Sequence, residues 1–265
     1  MLRTKHLKME QLIREMDSVL VAFSGGVDSS LVLKVAHEVL GARALAVTAV
    51  SPTFPAVELE WTRRLVAEIG ARHHIIEGDQ LVIPDFVRND ASRCYHCKTD
   101  LYQMVGKLQH ELQIGAVVDG TNLDDLDDDR PGMMAAREWG VRSPLVEAEL
   151  TKADVRELAR ALGLSNWDKP AAACLSSRIP RGTAITREKL TRIEQAELVL
   201  FQEGFQQFRV RDHGETARIE LEGSEIARML EVERRARISA ALKQLGFRFV
   251  TLDLEGYRRG STTTR

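Results

Sequence analysis

The segment Ser24-Gly25-Gly26-Val27-Asp28-Ser29-Ser30 decides the fold of this chain. It follows a short apolar run, residues 17–23, and precedes a helical pattern that extends to Leu40. A short, continuously apolar run is typical of a strand buried on both faces of a parallel sheet. The segment therefore lies at a predicted strand-to-helix junction, at the carboxyl end of the first strand, where open α/β sheets bind ligands.

The residues of this segment suit the binding of a phosphate group. The two glycines let the backbone approach a phosphate closely, the serines offer hydroxyl groups, and the helix N-terminus offers N–H groups and a positive dipole end. Asp28 would repel phosphate directly, so its expected role is through Mg²⁺. The lysine of a Walker A loop is missing, and the spacing is not that of a dinucleotide-binding GxGxxG motif. The alternative is a plain glycine turn between a strand and a helix.

The first two thirds of the chain alternate predicted strands and helices, which indicates a parallel sheet with helices on both faces. After residue 186 the pattern changes to that of a smaller α+β unit. In the first part we predict strands at 17–23, 44–50, 72–76 and 116–119, and a helix at 151–162 with Thr151 and Asp154 as a capping-box variant. In the second part we predict helix 187–203, strands 205–211, 216–221 and 247–253, and one or two helices within 224–244. The expected architecture is a doubly wound α/β domain, residues 1–177, and a small α+β domain for substrate binding or oligomerisation, residues 178–265.

Composition excludes several classes of protein. The chain has 265 residues, of which 44% are hydrophobic and 29% charged, as is usual for a globular protein. No apolar run of the sequence approaches the roughly 18 residues needed to cross a bilayer, and the N-terminus lacks the apolar core of a signal peptide. The net charge is −2, so no overall positive field draws the protein to nucleic acid or to an anionic membrane. We expect a cytoplasmic protein without a membrane or nucleic-acid partner.

A second polar motif, residues 119–125, follows the fourth predicted strand and reads Asp-Gly-Thr-Asn-Leu-Asp-Asp. Because it also follows a carboxyl end of the sheet, it faces the same crevice as the first segment. We expect its carboxylates to hold a second Mg²⁺ coordination position, and Thr121 and Asn122 to contact nucleotide or substrate. The alternative is a solvated acidic turn, since the acidic run continues through residues 127–129.

The chain has three cysteines, Cys94, Cys97 and Cys174. An odd number in a reducing compartment argues against a disulfide framework and for metal or redox chemistry. Cys94 and Cys97 have CxxC spacing, which lets two sulfurs reach one metal or cluster, and the neighbouring cation Lys98 favours a thiolate. A structural zinc would need two more ligands. Two buried, apolar cysteines are the alternative.

Cys174 lies in a loop-like segment with the cations Lys169, Arg178 and Arg181 close to it in the sequence. A lone cysteine among small residues usually packs in a core. Cations favour a thiolate, however, and loops at domain junctions often carry function. We therefore expect chemistry at Cys174.

A charged cluster is predicted in the second domain. Helix 187–203 places Glu197 in the middle of its apolar stripe, where a carboxylate needs a partner. On the following strand Arg209, Arg211 and His213 alternate onto one face. Either Glu197 forms a buried salt bridge with these arginines, or the arginines bind a phosphate or carboxylates of a substrate bidentately and Glu197 orients them. The stripe comprises Leu190, Ile193, Leu200 and Phe201.

The first segment resembles the PP-loop of the ATP pyrophosphatase superfamily, whose members split ATP between the α- and β-phosphates and adenylylate a carbonyl or similar oxygen. Together with residues 93–98, 119–122, 174–178 and 209–214, it resembles the LarE family over nearly the whole chain. LarE proteins are ATP-dependent sulfur insertases that make the nickel-pincer cofactor from pyridinium-3,5-biscarboxylic acid mononucleotide. The resemblance implies that ATP adenylylates one carboxylate of this nucleotide, a sulfur attacks, and AMP leaves.

The motifs and the resemblance together assign expected roles to residues. ATP and Mg²⁺ are expected at Ala22, Phe23, Ser24, Gly25, Gly26, Asp28, Ser29, Ser30, Gly120, Thr121 and Asp124. The pyridinium nucleotide is expected at Lys98, Ser177, Arg178, Glu197, Arg209 and Arg211. Cys94, Cys97 and Cys174 are expected to be the catalytic and metal-binding residues.

The resemblance also bears on the source of sulfur. Some LarE members have a single cysteine at the place of Cys174 and sacrifice its sulfur. Others have three cysteines, as here, which hold a [4Fe–4S] cluster that carries an extra sulfide. The three cysteines of this chain favour the cluster version, which needs an external sulfide source. The family also implies a homo-oligomer, a hexamer built from trimers.

Two other functions are open to a chain with these motifs. A tRNA-thiolating PP-loop enzyme also uses a CxxC pair and one further cysteine, but it needs a basic track for the RNA backbone, and the net charge of −2 argues against one. A nucleotide-sensing module with a structural metal would leave the arginine cluster of the second domain without a purpose.

Overall fold

The structure, a computed structural model, describes residues 1–127, 131–170 and 173–258; Asp128 and Asp129 of the acidic run lie outside the described residues. The α-helices of the described part are α1 (Leu2–Arg14), α2 (Val27–Leu40), α3 (Ala56–Ile69), α4 (Pro84–Val87), α5 (Arg93–Leu112), α6 (Pro131–Glu138), α7 (Pro144–Glu147), α8 (Lys152–Ala161), α9 (Arg187–Gln202), α10 (Ile226–Met229) and α11 (Val232–Gln244). The strands are β1 (Val19–Ala22), β2 (Ala44–Val50), β3 (Arg72–Glu77), β4 (Ala116–Val118), β5 (Phe208–His213), β6 (Thr216–Leu221) and β7 (Phe249–Leu252). None of the helices in this described part has the length and apolar character that crossing a membrane requires.

The described residues form two compact units. The first contains residues 1–80 and 92–170, and the second contains residues 81–91 and 173–258. Asn89 explains why residues 81–91 belong to the second unit: its buried amide donates hydrogen bonds to the carbonyl oxygens of Pro180 and Thr183, both at 2.9 Å. No feature of the sequence indicated that residues 81–91 belong to the second unit. The boundary expected between residues 177 and 178 stays a prediction.

The first unit is built on a parallel sheet with the strand order β3-β2-β1-β4. Alternate residues of β1 enter different hydrophobic clusters. Val19 and Val21 pack with residues of α1, α2, α3 and α8, whereas Leu20 packs with Val105 and Leu108 of α5. Helices therefore cover both faces of the sheet, and the predicted doubly wound α/β fold is confirmed.

Local sequence sets the ends of several elements in the first unit. α3 ends at Gly70, whose φ of 80° lies in the left-handed region that glycine adopts most readily. α8 begins at Thr151, whose side chain accepts the N–H of Asp154 while Asp154 accepts the N–H of Thr151. This reciprocal capping box is the one that the sequence predicted.

The second unit has a three-stranded sheet of order β5-β6-β7, in which β5 and β6 are antiparallel and β6 and β7 are parallel. Its core joins the sheet to α9 and α11 through Leu200, Phe205, Ile238, Leu242 and Phe247.

Two of the differences from the predicted elements concern β5 and α9. β5 begins at Phe208 rather than at residue 205, because the N–H groups of Gln206 and Gln207 donate to the carboxylate of Glu225. Phe201, expected in the buried stripe of α9, is 51% exposed, and Ala196 is buried on that helix instead.

Candidate functional site

The segment 24–30, called the phosphate loop below, connects β1 to α2 in the first unit. Gly26 is the N-cap of α2, and the hydroxyl of Ser29 donates to its carbonyl oxygen at 3.1 Å. The N–H of Ser24 donates to the Ser29 hydroxyl at 3.3 Å. The hydrogen bonds of Ser29 therefore hold Ser24 and Gly26 against the first turn of α2.

Two residues that the sequence analysis did not single out fix the backbone of the phosphate loop at Gly25. This glycine has a φ of 72°, and a Cβ at its position would lie 2.9 Å from Cγ2 of Thr62 in α3. The buried amide of Asn166 donates to the carbonyl oxygen of Gly25 at 3.2 Å and to the hydroxyl of Ser30 at 2.9 Å. No sequence motif marks Thr62 or Asn166, because each acts through tertiary packing.

The loop after β4 packs directly on the N-terminus of α2. A Cβ on Gly120 would lie 2.6 Å from the backbone nitrogen of Ser29, so only glycine allows this approach. The buried carboxylate of Asp119 accepts hydrogen bonds from Thr121 Oγ1 at 2.8 Å, Ser143 Oγ at 2.7 Å and Tyr102 OH at 3.2 Å. These donors, together with the Thr121 N–H at 3.1 Å, occupy both carboxylate oxygens. Asp119 therefore organises the loop through these four hydrogen bonds.

Asp28 and Asp124 are connected through contacts with Asn122 and Lys152. Asn122 Nδ2 donates to Asp28 Oδ1 at 3.1 Å, and Asn122 Oδ1 accepts the N–H of Asp124 at 3.0 Å. Lys152 pairs through its ammonium group with Asp28 and donates its backbone N–H to Asp124 at 2.9 Å. The structure thus brings together two of the carboxylates expected near Mg²⁺, and it adds a cation that the sequence analysis missed although the helix starting there was predicted.

Cys94 and Cys97 lie in the first two turns of α5, three residues apart and hence on one face of the helix. Lys98 follows them, and its ammonium group lies 5.3 Å from the centre of the Tyr102 ring. Burial opposes the charge on Lys98, but Tyr102, Asp119 and Cys97 outweigh it and raise the pKa of Lys98. Within the described residues no three Cys, His, Asp or Glu side chains are grouped as metal ligands, and none of the three cysteines forms a disulfide.

Cys174 belongs to the second unit, is exposed, and immediately precedes the 3₁₀ helix Leu175–Arg178. Its sulfur lies 3.0 Å from the hydroxyl oxygen of Ser176. Arg178 donates to the carbonyl oxygen of Cys174 at 2.9 Å.

The other two cations expected around Cys174 have partners of their own. Lys169, in the first unit, pairs with Glu58 at 2.6 Å and lies over the ring of Trp61. Arg181, in the second unit, donates to the carbonyl oxygen of Asp90. Arg178 is therefore the cation whose contacts include the backbone at Cys174.

The predicted charged cluster is present in the second unit, but with different partners. Glu197 forms its ion pair with Arg178 at 2.8 Å, not with Arg209 or Arg211. Arg211 donates to the buried carboxylate of Glu220 at 2.7 Å and to the carbonyl oxygen of Ser177 at 2.9 Å. Since Arg178 precedes helix α9 in the chain, the strand periodicity that pointed to the later arginines did not reveal it.

Arg209, the third arginine of the cluster, contacts an aromatic ring. Its guanidinium carbon lies 5.1 Å from the centre of the Tyr257 ring. Its Nη1 donates to the carbonyl oxygen of Phe208 at 2.6 Å. Burial lowers the pKa of Arg209, and the nearby charge of Arg178 lowers it further. A half-buried guanidinium beside a second cation is a favourable place for an anion.

Comparisons with known proteins agree with these motifs. A family model described as Asparagine synthase matches residues 9–104, which include the phosphate loop and the CxxC pair. An uncharacterised protein of Synechocystis is 44% identical over 260 residues, 98% of this chain and 97% of that protein. The pyridinium-3,5-bisthiocarboxylic acid mononucleotide synthase of Lactiplantibacillus plantarum is 40% identical over 260 residues, 98% of this chain and 94% of that protein. An uncharacterised protein of Methanocaldococcus jannaschii is 30% identical over 257 residues, 96% of this chain and 97% of that protein.

Proposed function

The chain belongs to the family of the pyridinium-3,5-bisthiocarboxylic acid mononucleotide synthase of Lactiplantibacillus plantarum, and on that premise we propose that it is an ATP-dependent sulfurtransferase with the same reaction. The substrate is pyridinium-3,5-biscarboxylic acid mononucleotide, and the product carries thiocarboxylate in place of carboxylate. The observation that carries the proposal is 40% identity over 98% of the chain, together with a phosphate loop at the carboxyl edge of the sheet.

ATP binding is assigned to the first unit. Phosphate oxygens accept hydrogen bonds from the N-terminal N–H groups of α2 and from the serine hydroxyls of the phosphate loop. Asp28 and Asp124 supply oxygen ligands of the kind that Mg²⁺ prefers, which fits the donor set found there. A substrate carboxylate oxygen bonds to the α-phosphorus of ATP, the bond from that phosphorus to the bridging oxygen of the β-phosphate breaks, pyrophosphate leaves with the electron pair, and an acyl adenylate forms. Mg²⁺, when bound, would neutralise charge on the phosphates.

Substrate binding is assigned to the second unit. The pyridinium nucleotide has one phosphate and two carboxylates, all of them anions that arginines bind. Arg209 and Arg211, with Ser177, supply cationic and hydroxyl donors there, and Glu220 keeps Arg211 in a fixed orientation. A sulfur nucleophile then attacks the activated carbonyl carbon and AMP leaves with the bonding electron pair.

The sulfur source is assigned to the three cysteines. Cys94 and Cys97 present two thiols on one helix face, and Cys174 is an exposed third thiol. Cysteine thiolates are the ligands of [4Fe–4S] clusters, and the family resemblance supports this role for the three. When bound, the cluster supplies a sulfide from an external source. Three cysteines that form no disulfide are typical of a reducing compartment, which supports a cytoplasmic location. The family resemblance supports a homo-oligomer, a hexamer built from trimers.

The experiment uses the full chain purified without oxygen. Iron and acid-labile sulfide are measured per chain, and pyrophosphate release and thiocarboxylate formation are followed with the pyridinium nucleotide. We expect pyrophosphate release to require this substrate, and Cys94→Ser to abolish thiocarboxylate formation while leaving ATP binding unchanged. Product formation by Cys94→Ser would overturn the cluster. An iron-free protein that makes one product and leaves Cys174 lighter by one H₂S would identify a sacrificed cysteine instead.

A further inference from the structure

The guanidinium group of Arg178 is held from both sides within the second unit. Its Nε and Nη2 donate to the two carboxylate oxygens of Glu197, at 2.9 and 2.8 Å. Its Nη1 donates to the carbonyl oxygens of Ala173 at 2.6 Å and Cys174 at 2.9 Å, and lies 3.2 Å from Ser177 Oγ. Arg178 thus ties the backbone of the cysteine loop to helix α9.

These contacts use most of the donors that Arg178 has. A guanidinium group has five N–H donors. Glu197 takes two of them, and the two carbonyl oxygens take both hydrogens of Nη1. One N–H remains after these contacts, whereas bidentate binding of a phosphate requires two. The side chain of Arg178 is also only 4% exposed.

Glu197 is itself fixed by the sheet. Its Oε1 accepts the backbone N–H of Val210 in β5 at 3.0 Å, and its side chain is 12% exposed. An unbroken series of hydrogen bonds therefore runs from β5 through Glu197 and Arg178 to the carbonyl oxygen of Cys174. Both charges are largely withdrawn from water, where a bidentate pair holds its geometry most firmly.

We propose that Arg178, oriented by Glu197, is a positioning residue of Cys174 and not a ligand of the substrate phosphate. It fixes the backbone on which the Cys174 sulfur is carried, through hydrogen bonds to the carbonyl oxygens of Ala173 and Cys174. Loss of these hydrogen bonds lets the loop backbone move, and a misplaced sulfur reacts more slowly without any change in substrate binding. The inference rests on the proposed function only in treating Cys174 as the thiol that carries chemistry.

The test measures amide hydrogen exchange of the peptide that contains residues 173–178, by mass spectrometry of the full chain without ATP or substrate, and then kcat and KM for the pyridinium nucleotide. The variants are Arg178→Met, Arg178→Lys and Glu197→Gln. Arg192→Lys is the matched control. Arg192 of α9 also forms an ion pair within the second unit, with the carboxylate of Asp212 in β5 at 2.5 Å. We expect Arg178→Met to speed this exchange about tenfold and to lower kcat at an unchanged KM, with Arg178→Lys and Glu197→Gln in between and the control within about twofold of wild type.

Exchange of this peptide at the wild-type rate in a folded Arg178→Met protein would overturn the inference. Folding is checked by thermal unfolding. If Arg178→Met does not fold, Glu197→Gln decides, since it keeps the size of the side chain and removes one charge of the pair. An Arg178→Lys variant with normal exchange but a raised KM for the pyridinium nucleotide would also overturn it, by making Arg178 a substrate ligand. Since hydrogen exchange needs neither ATP nor substrate, its result is independent of whether the protein transfers sulfur.

Discussion

The ammonium group of Lys152 pairs with the carboxylate of Asp28, which lies in the phosphate loop 124 residues earlier in the chain. Lys152 is the first residue of α8, and its backbone N–H donates to Asp124. One residue therefore contacts both carboxylates that we assign to Mg²⁺. A divalent cation bound there would compete with the ammonium group for Asp28, and the displaced ammonium would be available to the phosphates of ATP.

Replacing Lys152 by Met is expected to weaken ATP binding with little effect on stability. Loss of a charge-assisted hydrogen bond to phosphate lowers affinity by about ten- to hundredfold. The ion pair with Asp28 is partly exposed, so its removal changes the free energy of unfolding by less than about 1 kcal/mol. Calorimetric titration with an α,β-methylene ATP analogue and Mg²⁺ measures the affinity, and Lys152→Arg is the control that keeps the charge. Unchanged affinity in Lys152→Met would show that the ammonium group does not reach the nucleotide.

Gly120→Ala is expected to disrupt the phosphate loop. The added methyl group would lie 2.6 Å from the backbone nitrogen of Ser29, so the loop after β4 and the first turn of α2 must separate. Such overpacking costs about 1–3 kcal/mol of stability, and ATP affinity falls with it. Gly223→Ala is the matched control, because nothing lies within 4 Å of a Cβ at that position. Thermal unfolding and nucleotide titration measure both effects, and a Gly120→Ala protein that behaves like Gly223→Ala would contradict the close approach.

Asn166→Ala is expected to weaken ATP binding because it removes hydrogen bonds that fix the backbone of the phosphate loop. The change leaves the buried carbonyl oxygen of Gly25 and the hydroxyl of Ser30 without this donor, at a cost of about 1–3 kcal/mol. Asn89→Ala is the comparison, since Asn89 is also a buried amide that donates to carbonyl oxygens, but in the second unit. Both variants should lower the melting temperature, and only Asn166→Ala should reduce affinity for the ATP analogue. Equal affinities in the two variants would refute a specific role for Asn166.

The sequence predicted the first unit well where a local signal was enough. Strand β2 begins and ends at the predicted residues, and the capping box at Thr151 is present. Each of these features depends on residues within a few positions of one another, so periodicity and capping rules identify them. The PP-loop motif indicated the phosphate loop for the same reason.

Contacts between distant residues could not be predicted in this way. Asn166 and Thr62 support Gly25 from 141 and 37 positions away, and neither belongs to a motif. Glu197 was correctly expected to need a partner, but the choice among cationic side chains depended on how the loop before α9 folds back. Arg178 was available to Glu197 only because that loop also places the backbone of Cys174 beside it. Pairing of a buried charge is dictated by chemistry, whereas the identity of the partner is set by tertiary structure.

The last prediction concerns the stability of the first unit in mild acid. His73 Nε2 lies 2.8 Å from Thr48 Oγ1, whose hydroxyl donates to the carbonyl oxygen of Phe23, so His73 is the donor to Thr48. Burial lowers the pKa of His73 below its ordinary value of 6.5, and Arg63 and His74 lower it further. Because the unfolded chain then binds a proton more readily than the folded one, the contribution of His73 to stability is present above pH 6.5 and is lost as the pH falls through the lower folded-state pKa. His73→Gln keeps a donor for Thr48 and removes the titration. Urea unfolding at pH 7, 6 and 5 should therefore show a steeper loss of stability in wild type than in His73→Gln, and parallel losses would mean that His73 titrates alike in both states.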